Sequence, residues 1–196
     1  HATTNRVALQ AVSGSITDAN GASINVEETV AGATTSLSLR AGTIIGGAGG
    51  TTSSVNNQAV DIDVDTVAAN AATGIYLREV AAGGAITVDT ASAVTVNING
   101  VVRADFDSST TSVAETRTIA SLEDLTSTSN GPIKLVAENG TIEITGGANT
   151  TGISANGTGD ILLEARGVNS DVIVNSIVTS GSGHLTLDAD RHIEIN

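Results

Sequence analysis

A short recurring phrase constrains the fold of this chain more than any single residue does. Each copy opens on a glycine, continues with alternating apolar residues, breaks at a few polar residues and resumes with a second alternating run. The clearest copies are residues 131–145 (GPIKLVAENGTIEIT), 159–175 (GDILLEARGVNSDVIVN) and 183–196 (GHLTLDADRHIEIN). Self-similarity of this kind is typical of repeat architectures, in which each unit buries its apolar face against the next.

Within each copy the apolar residues alternate with polar ones at a period of two. Ile133 and Leu135 share one face of their segment, and Ile142 and Ile144 share one face of the next. This period is typical of β-strands that bury a single face, so we expect an all-β protein. The same alternation predicts strands around Val7 and Leu9, Ile24 and Val26, Leu37 and Leu39, Val60 to Val64, Ile75 and Leu77, Ile86 and Val88, Val94 to Ile98, Ile161 and Leu163, Val172 and Val174, Leu185 and Leu187, and Ile193 and Ile195.

The intervals between equivalent strands suit one turn of a parallel β-solenoid with loops of variable length. Grouping the strands by threes predicts about seven coils in a single domain, residues 1–196. The alternative is an antiparallel β-sandwich, which is also built from short alternating strands. The predicted coil starts are Val7, Ser36, Gly74, Arg103, Pro132, Asp160 and His184.

Four segments depart from the regular pattern. One of them, residues 146–159, is rich in Gly, Asn and Thr and has only Ile153 as an apolar anchor. Residues 46–57 are rich in Gly, Ser and Thr, residues 107–115 are rich in Ser and Thr, and both are predicted to be exposed loops. Residues 117–125 are predicted to form a strand, because Ile119 fits the alternation. The alternative is a short helix in which Ser121 is the N-cap and Asp124 follows three positions later.

Composition and charge exclude several classes of function. The chain has 21 Asp and Glu against 8 Lys and Arg, a formal net charge of −13, so we expect neither nucleic acid nor an anionic membrane surface as a partner. It has no cysteine, which excludes disulfides and thiolate metal sites. No apolar run approaches the length of a membrane-spanning helix, so membrane insertion is not expected.

One acidic run is a candidate metal site. Asp61, Asp63 and Asp65 alternate in the sequence DIDVD, which predicts three carboxylates on one outward face. Such oxygens can hold a calcium ion, the one cofactor that the sequence suggests, and none is required. The alternative is a solvated acidic edge. Two further pairs of the same type are Asp105 with Asp107 and Asp188 with Asp190.

No residue set predicts catalysis. The histidines are His1, His184 and His192, and the last two precede inward-facing residues, so they are predicted to point outward. A zinc site needs three or four converging ligands, which these do not supply. The basic residues are scattered, and Tyr76 and Phe106 are the only aromatic residues available to stack on a sugar. We therefore do not expect an enzyme.

The units at 159–175 and 183–196 resemble coils of large bacterial repetitive surface proteins, the filamentous-haemagglutinin-like adhesins and giant exoproteins rich in Gly, Thr, Asn and Asp. The resemblance is one of pattern and composition, covers most of the chain and is strongest from Gly131 onward. It implies export, a right-handed β-helix and a role as a stalk, filament or adhesive surface. The chain lacks the secretion-domain start of that family, which suggests an internal segment of a longer repetitive chain.

The expected function is therefore structural: a rod, stalk or filament segment of a protein on the bacterial cell surface. The expected partners are neighbouring coils or copies of the same chain, joined end to end through open strand edges, and a surface glycan or host receptor. The alternative is a β-helix protein that binds or degrades a polysaccharide, since such sites also occur on parallel β-helices.

Overall fold

The computed structural model describes residues 4–28, 34–47, 58–81, 84–104, 106–107 and 109–196. All regular structure in these ranges is β-strand, and no helix occurs in them. The strands are β1 (Thr4–Ala11), β2 (Val26–Glu27), β3 (Thr34–Ala41), β4 (Ile44–Ile45), β5 (Val60–Asp63), β6 (Thr66–Ala71), β7 (Gly74–Glu79), β8 (Ile86–Val88), β9 (Val94–Ala104), β10 (Thr110–Ile119), β11 (Leu125–Ser127), β12 (Ile133–Ala137), β13 (Ile142–Ile144), β14 (Thr151–Ala155), β15 (Ile161–Ala165), β16 (Asp171–Val174), β17 (Ile177–Ser180), β18 (Leu185–Ala189) and β19 (His192–Ile195).

Two multi-stranded parallel sheets form the walls of the molecule. The seven-stranded sheet has the order β18-β15-β12-β7-β5-β2, and β4 also pairs with β7. The ten-stranded sheet begins with β1, β3 and β6 and then divides in two. The first half of β6 pairs with β8, and the second half pairs with β11. The branches continue as β8-β13-β16-β19 and β11-β14-β17.

From β11 onward each coil places one strand in each branch of the ten-stranded sheet and one in the seven-stranded sheet, and each strand pairs with its equivalent one coil away. From β11 onward the chain makes three coils of three strands each, namely β11 to β13, β14 to β16 and β17 to β19. The parallel register confirms the predicted parallel β-solenoid and excludes the antiparallel sandwich. Each coil depends on its neighbours, because a lone coil has no partner for its backbone N–H and C=O groups.

Aliphatic side chains stack into ladders inside the walls, and this is the core. The register places equivalent residues of successive coils directly above one another, and most of them are buried. Aliphatic residues suffice for the core because each layer is thin. Four ladders are Val7–Leu37–Val67–Val88–Ile144–Val174–Ile195, Leu9–Leu39–Ala69–Leu125–Ile153–Val178, Ile16–Ile45–Ile75–Ile133–Ile161–Leu185 and Val60–Leu77–Leu135–Leu163–Leu187.

The glycine that opens each repeat lies where the backbones of successive coils come closest. A methyl group added at Gly159 would lie 2.3 Å from the carbonyl oxygen of Gly131, and one added at Gly183 would lie 2.3 Å from that of Gly159. One added at Gly131 would lie 2.4 Å from the carbonyl oxygen of Thr73. None of the three has a positive φ, so backbone conformation does not explain why they are glycines. The close contact between the main chains of successive coils does.

The coil predicted to start at Arg103 is wrong. Residues 94–119 instead form an antiparallel hairpin, β9–β10, in which Arg103 pairs with Thr111. Cross-strand hydrogen bonds such as Thr95 Oγ1 to Thr118 Oγ1 at 3.0 Å link its strands. Val96 and Ile98, predicted to face the core, are exposed on this hairpin. The other six predicted starts lie within or directly before β1, β3, β7, β12, β15 and β18.

The irregular segments have mixed outcomes. The loop predicted at 107–115 is largely wrong, because β10 begins at Thr110. The strand predicted over 117–125 is confirmed for 117–119, which end β10, and for Leu125, which begins β11; no helix forms between them. Most of the loop predicted at 46–57 lies outside the described residues.

Candidate functional site

A chain of ion pairs crosses the outer surface of the seven-stranded sheet. Arg78 on β7 donates from Nε and Nη2 to the two carboxylate oxygens of Asp61 on β5, both at 2.7 Å. Glu138, just after β12, lies between Arg78 at 3.9 Å and Arg166 at 2.9 Å. Arg166 also donates to Glu164 at 2.7 Å. Alternating charges thus connect four successive layers of the sheet.

The Asp61–Arg78 pair is the most buried part of this chain. The Asp61 side chain is fully buried and that of Arg78 is 17% exposed. Burial raises the pKa of Asp61, and the Arg78 guanidinium opposes that shift. The backbone N–H of Asp61 also donates to the side-chain oxygen of Asn25 at 2.7 Å. Every polar group of Asp61 is therefore engaged within the protein.

Asp61, expected with Asp63 and Asp65 on one outward acidic face, lies on the outer surface of the sheet but is covered by Arg78 and fully buried. Asp65 Oδ2 accepts a hydrogen bond from the backbone N–H of Thr35 at 2.7 Å, and Asp63 is half-buried. Within the described ranges no three Asp, Glu or His side chains are grouped as a metal site would require. Calcium binding by this triplet remains a prediction.

Of the two further acidic pairs, the structure describes Asp107, Asp188 and Asp190. Asp105 lies outside the described residues, whereas Asp107 Oδ1 accepts a hydrogen bond from the backbone N–H of Ser109 at 2.9 Å. Asp188 is exposed on β18, and Asp190 Oδ2 accepts from the backbone N–H of Gly167 at 2.6 Å. Asp107 thus bonds the backbone of its own turn, and Asp190 bonds the backbone of the preceding coil.

Glu79 is a buried carboxylate that the sequence analysis missed. It ends β7 and is 1% exposed. Its oxygens accept hydrogen bonds from the backbone N–H groups of Val64 at 3.1 Å and Ala81 at 2.9 Å. Burial raises its pKa to about 7, and the negative charge of Asp63 adds to the shift. The apolar alternation of β7 could not reveal it, because Glu79 occupies an inward position.

The raised pKa of Glu79 predicts a pH dependence of stability. The folded protein binds this proton more tightly than the unfolded chain, whose glutamate has the ordinary pKa of 4.5. The stabilisation is therefore fully present below pH 4.5 and is lost as the pH rises through about 7. We expect Tm to fall between pH 5 and pH 8 and Glu79→Gln to flatten that fall, as measured by calorimetry.

Glu27→Gln is the control, since Glu27 is exposed on β2. It should leave the pH profile of Tm as steep as in the wild type. An unchanged profile in Glu79→Gln would contradict the assignment of this titration to Glu79.

The two described histidines lie on the surface, as predicted. His184 Nδ1 lies 3.2 Å from Asp160 Oδ1, and His192 Nδ1 lies 3.6 Å from Asp171 Oδ1. Each histidine therefore has a carboxylate from the preceding coil beside it. Asp171 also pairs with Arg191, and this hydrogen bond lowers its pKa to about 2. These contacts join the last two coils on their outer surface.

The terminal coil, defined here as β17, β18 and β19, leaves the aliphatic ladders uncovered on one side. Ile195 is 72% exposed although it continues a ladder whose earlier members are buried. An open groove of about 450 Å³ lies along this side, lined by ladder residues including Val178 and Leu187. The exposed ladder residues of the coil include Leu185, Ile193 and Ile195, and Ile177, which pairs with Thr151, is exposed as well. No strand of the described ranges pairs with the outer edges of β17, β18 and β19, so this coil presents free strand edges beside an apolar surface.

The described part of the chain contains no helix long and apolar enough to cross a membrane. The sequence matches no protein-family model and no curated protein, and the structure matches no solved structure.

Proposed function

We propose that this chain is a structural segment of a bacterial surface protein, a rod or stalk that extends by stacking a further β-solenoid coil on its terminal coil. The proposed role is mechanical and concerns assembly rather than a reaction. In it, the repeats serve to continue the stack of coils.

The observation that carries the proposal is that the aliphatic ladder residues of the terminal coil are exposed on the side that faces away from the preceding coil. Each inner coil buries its ladder residues between two neighbours, whereas the terminal coil has only one. Burying a large aliphatic side chain contributes about 1.5–3 kcal/mol, and unpaired strand edges are templates for further pairing. A further coil with aliphatic residues in the same register would bury the exposed ladder residues and form hydrogen bonds with the backbone groups of the strand edges.

The acidic composition and the resemblance to bacterial repetitive surface proteins support a place outside the cell. A formal net charge of −13 favours solubility and opposes unwanted association through the sides of the rod. Attachment of a glycan or a host receptor along the loops stays a prediction.

The first test adds a coil to the existing stack. A second copy of residues 176–196 is appended directly after Asn196, where the equivalence of Asn196 with Asn175 keeps the register. We expect the added coil to cover the exposed ladder residues and to raise Tm by several degrees, because a repeat gains its stability from the interface with its neighbour. Calorimetry measures the change.

The matched control carries the same appended segment with the residues equivalent to Leu187, Ile193 and Ile195 replaced by Asn. It should give no increase in Tm. An equal increase in both variants, or none in either, would contradict the proposal that the terminal coil accepts a further coil.

The second test concerns the location. Antibodies raised against the purified chain are applied to intact cells that produce the native protein, and bound antibody is located by electron microscopy. We expect label on the outer surface, projecting as a rod. Label that appears only after lysis would refute the surface role while leaving the stacking result untouched.

A further inference from the structure

The first coil of the described chain exposes aliphatic residues just as the terminal coil does. This first coil is defined here as β1, the bridge residue Ile16 and β2, and in the described ranges each of these pairs only with the following coil. Leu9 and Ile24, which lies just before β2, are each 38% exposed, and Val7 and Ile16 are only partly buried against the core. The described solenoid therefore has an uncovered apolar layer at each end.

The two uncovered layers match in register. Three ladders begin in the first coil and end in the terminal coil, namely those that run from Val7 to Ile195, from Leu9 to Val178 and from Ile16 to Leu185. A second copy placed one coil beyond the terminal coil would continue these ladders without a shift. Its β1 would lie across both β19 and β17, just as β6 lies across β8 and β11 within the chain.

The free backbone edges of the two ends are also complementary. All strand pairs of the two walls are parallel, and each inner strand bonds the preceding coil through one edge and the following coil through the other. In the described ranges β1 and β2 leave the first kind of edge free, whereas β17, β18 and β19 leave the second kind free. A contact between unlike ends is heterologous and leaves a new end free after each addition, so it builds a linear filament.

One row of outward residues places opposite charges at the two ends. Arg6 and Glu194 are its first and last members; both are exposed, and neither forms an ion pair with a described residue. In the continued stack, Arg6 of one copy would lie directly over Glu194 of the other, at the interstrand spacing of about 4.8 Å. Opposite charges that face each other across neighbouring strands stabilise the pairing. The row consists of the register partners Arg6, Ser36, Thr66, Thr87, Glu143, Ile173 and Glu194.

We propose that the terminal coil of one chain binds the first coil of a second copy head to tail, with the ladders in register and Arg6 of one copy over Glu194 of the other. This partner depends on the proposed function, in which the terminal coil accepts a further coil. The exposed ladder residues of both ends become buried, and the free strand edges form the parallel pairing that already joins coils within the chain. The formal net charge of −13 on each copy opposes association at low ionic strength, so salt should promote it.

The test is sedimentation velocity of the full chain over a range of concentrations at pH 7.5 and about 0.15 M salt, where the Debye length is about 8 Å. We expect the average mass to rise with concentration beyond that of a dimer, and electron microscopy to show rods that grow in length but not in width. Arg6→Glu and Glu194→Arg should each weaken association about threefold to tenfold, because like charges then face each other. The double variant should restore the wild-type association.

Arg117→Glu is the matched control, because it changes the net charge as Arg6→Glu does but lies on the exposed hairpin. It should associate nearly as tightly as the wild type. A chain that stays monomeric, a dimer that grows no further, or a double variant as weak as the single ones would each overturn head-to-tail binding. If such a chain still gains Tm from an appended coil, the stacking function stands and only the partner is wrong.

Discussion

Replacing Arg78 by Met is expected to destabilise the protein by about 3–5 kcal/mol, because it leaves the Asp61 carboxylate buried without a counter-charge. Both Asp61 oxygens accept hydrogen bonds from Arg78 at 2.7 Å, and the Asp61 side chain has no exposed surface. Methionine keeps an apolar chain of similar length over Asp61, so the carboxylate loses its counter-charge and stays shielded from water. Urea unfolding followed by circular dichroism measures the loss.

The control for this prediction is Arg117→Met. Arg117 pairs with Glu115 at 2.6 Å on the hairpin, but the Arg117 side chain is 77% exposed. Exposed pairs contribute at most about 1 kcal/mol, so this variant should be close to wild type. The double variant Asp61→Asn with Arg78→Met should recover part of the loss, because no charge is then buried alone. Equal stability of Arg78→Met and Arg117→Met would contradict the role of the pair.

Replacing Gly159 by Ala is expected to destabilise the protein by at least about 1–3 kcal/mol, the usual range for forcing an extra carbon into a packed interior. The added methyl group would lie 2.3 Å from the carbonyl oxygen of Gly131, so the two coils must separate at this corner. The contact is with main chain, which cannot move aside as a flexible side chain can. Urea unfolding again measures the loss.

Gly14→Ala is the matched control, because a methyl group there meets no atom within 4 Å and Gly14 does not have a positive φ. It should leave the stability unchanged or slightly increased, since alanine restricts the unfolded chain. If Gly159→Ala were as stable as Gly14→Ala, the glycine of the repeat would not be there for close packing of coils.

The parallel β-solenoid was predictable because the alternating apolar runs that form its ladders recur along the sequence. Ile133, Ile161 and Leu185 open equivalent alternating runs, and the structure stacks them directly. The glycine that opens each repeat could also be recognised in the sequence, but the sequence did not show why a glycine is needed there. Only the stacked coils show that the carbonyl oxygen of one repeat occupies the space where the next would place a Cβ.

The hairpin at 94–119 was not predictable from the same signal. Val94, Val96 and Ile98 alternate as regularly as any strand of the solenoid. Alternation reports that a strand exposes its two faces differently, but it carries no information on which strand supplies the hydrogen bonds. Here the partner is β10 of the same hairpin, so the apolar face meets solvent rather than the ladders.

The candidate sites, like the fold, were only partly predictable from the sequence. The sequence located acidic residues, but it could not distinguish Asp61, neutralised by Arg78, from Asp124, whose Oδ1 accepts no hydrogen bond from the described residues. Glu79 drew no attention because it is a single acid in a segment read for its apolar residues, and Asp124 was considered only as part of a possible helix cap.

The sequence by itself determined the strand period, the aliphatic ladders, the repeated glycine and the negative charge of this protein. These follow from local residue order and composition, which act within a few residues of one another. The tertiary structure alone decided which strands pair, which carboxylates are buried and which of those receive a counter-charge. Those outcomes depend on contacts such as Arg78 with Asp61 and Asn149 with Asp124, which join residues from different coils.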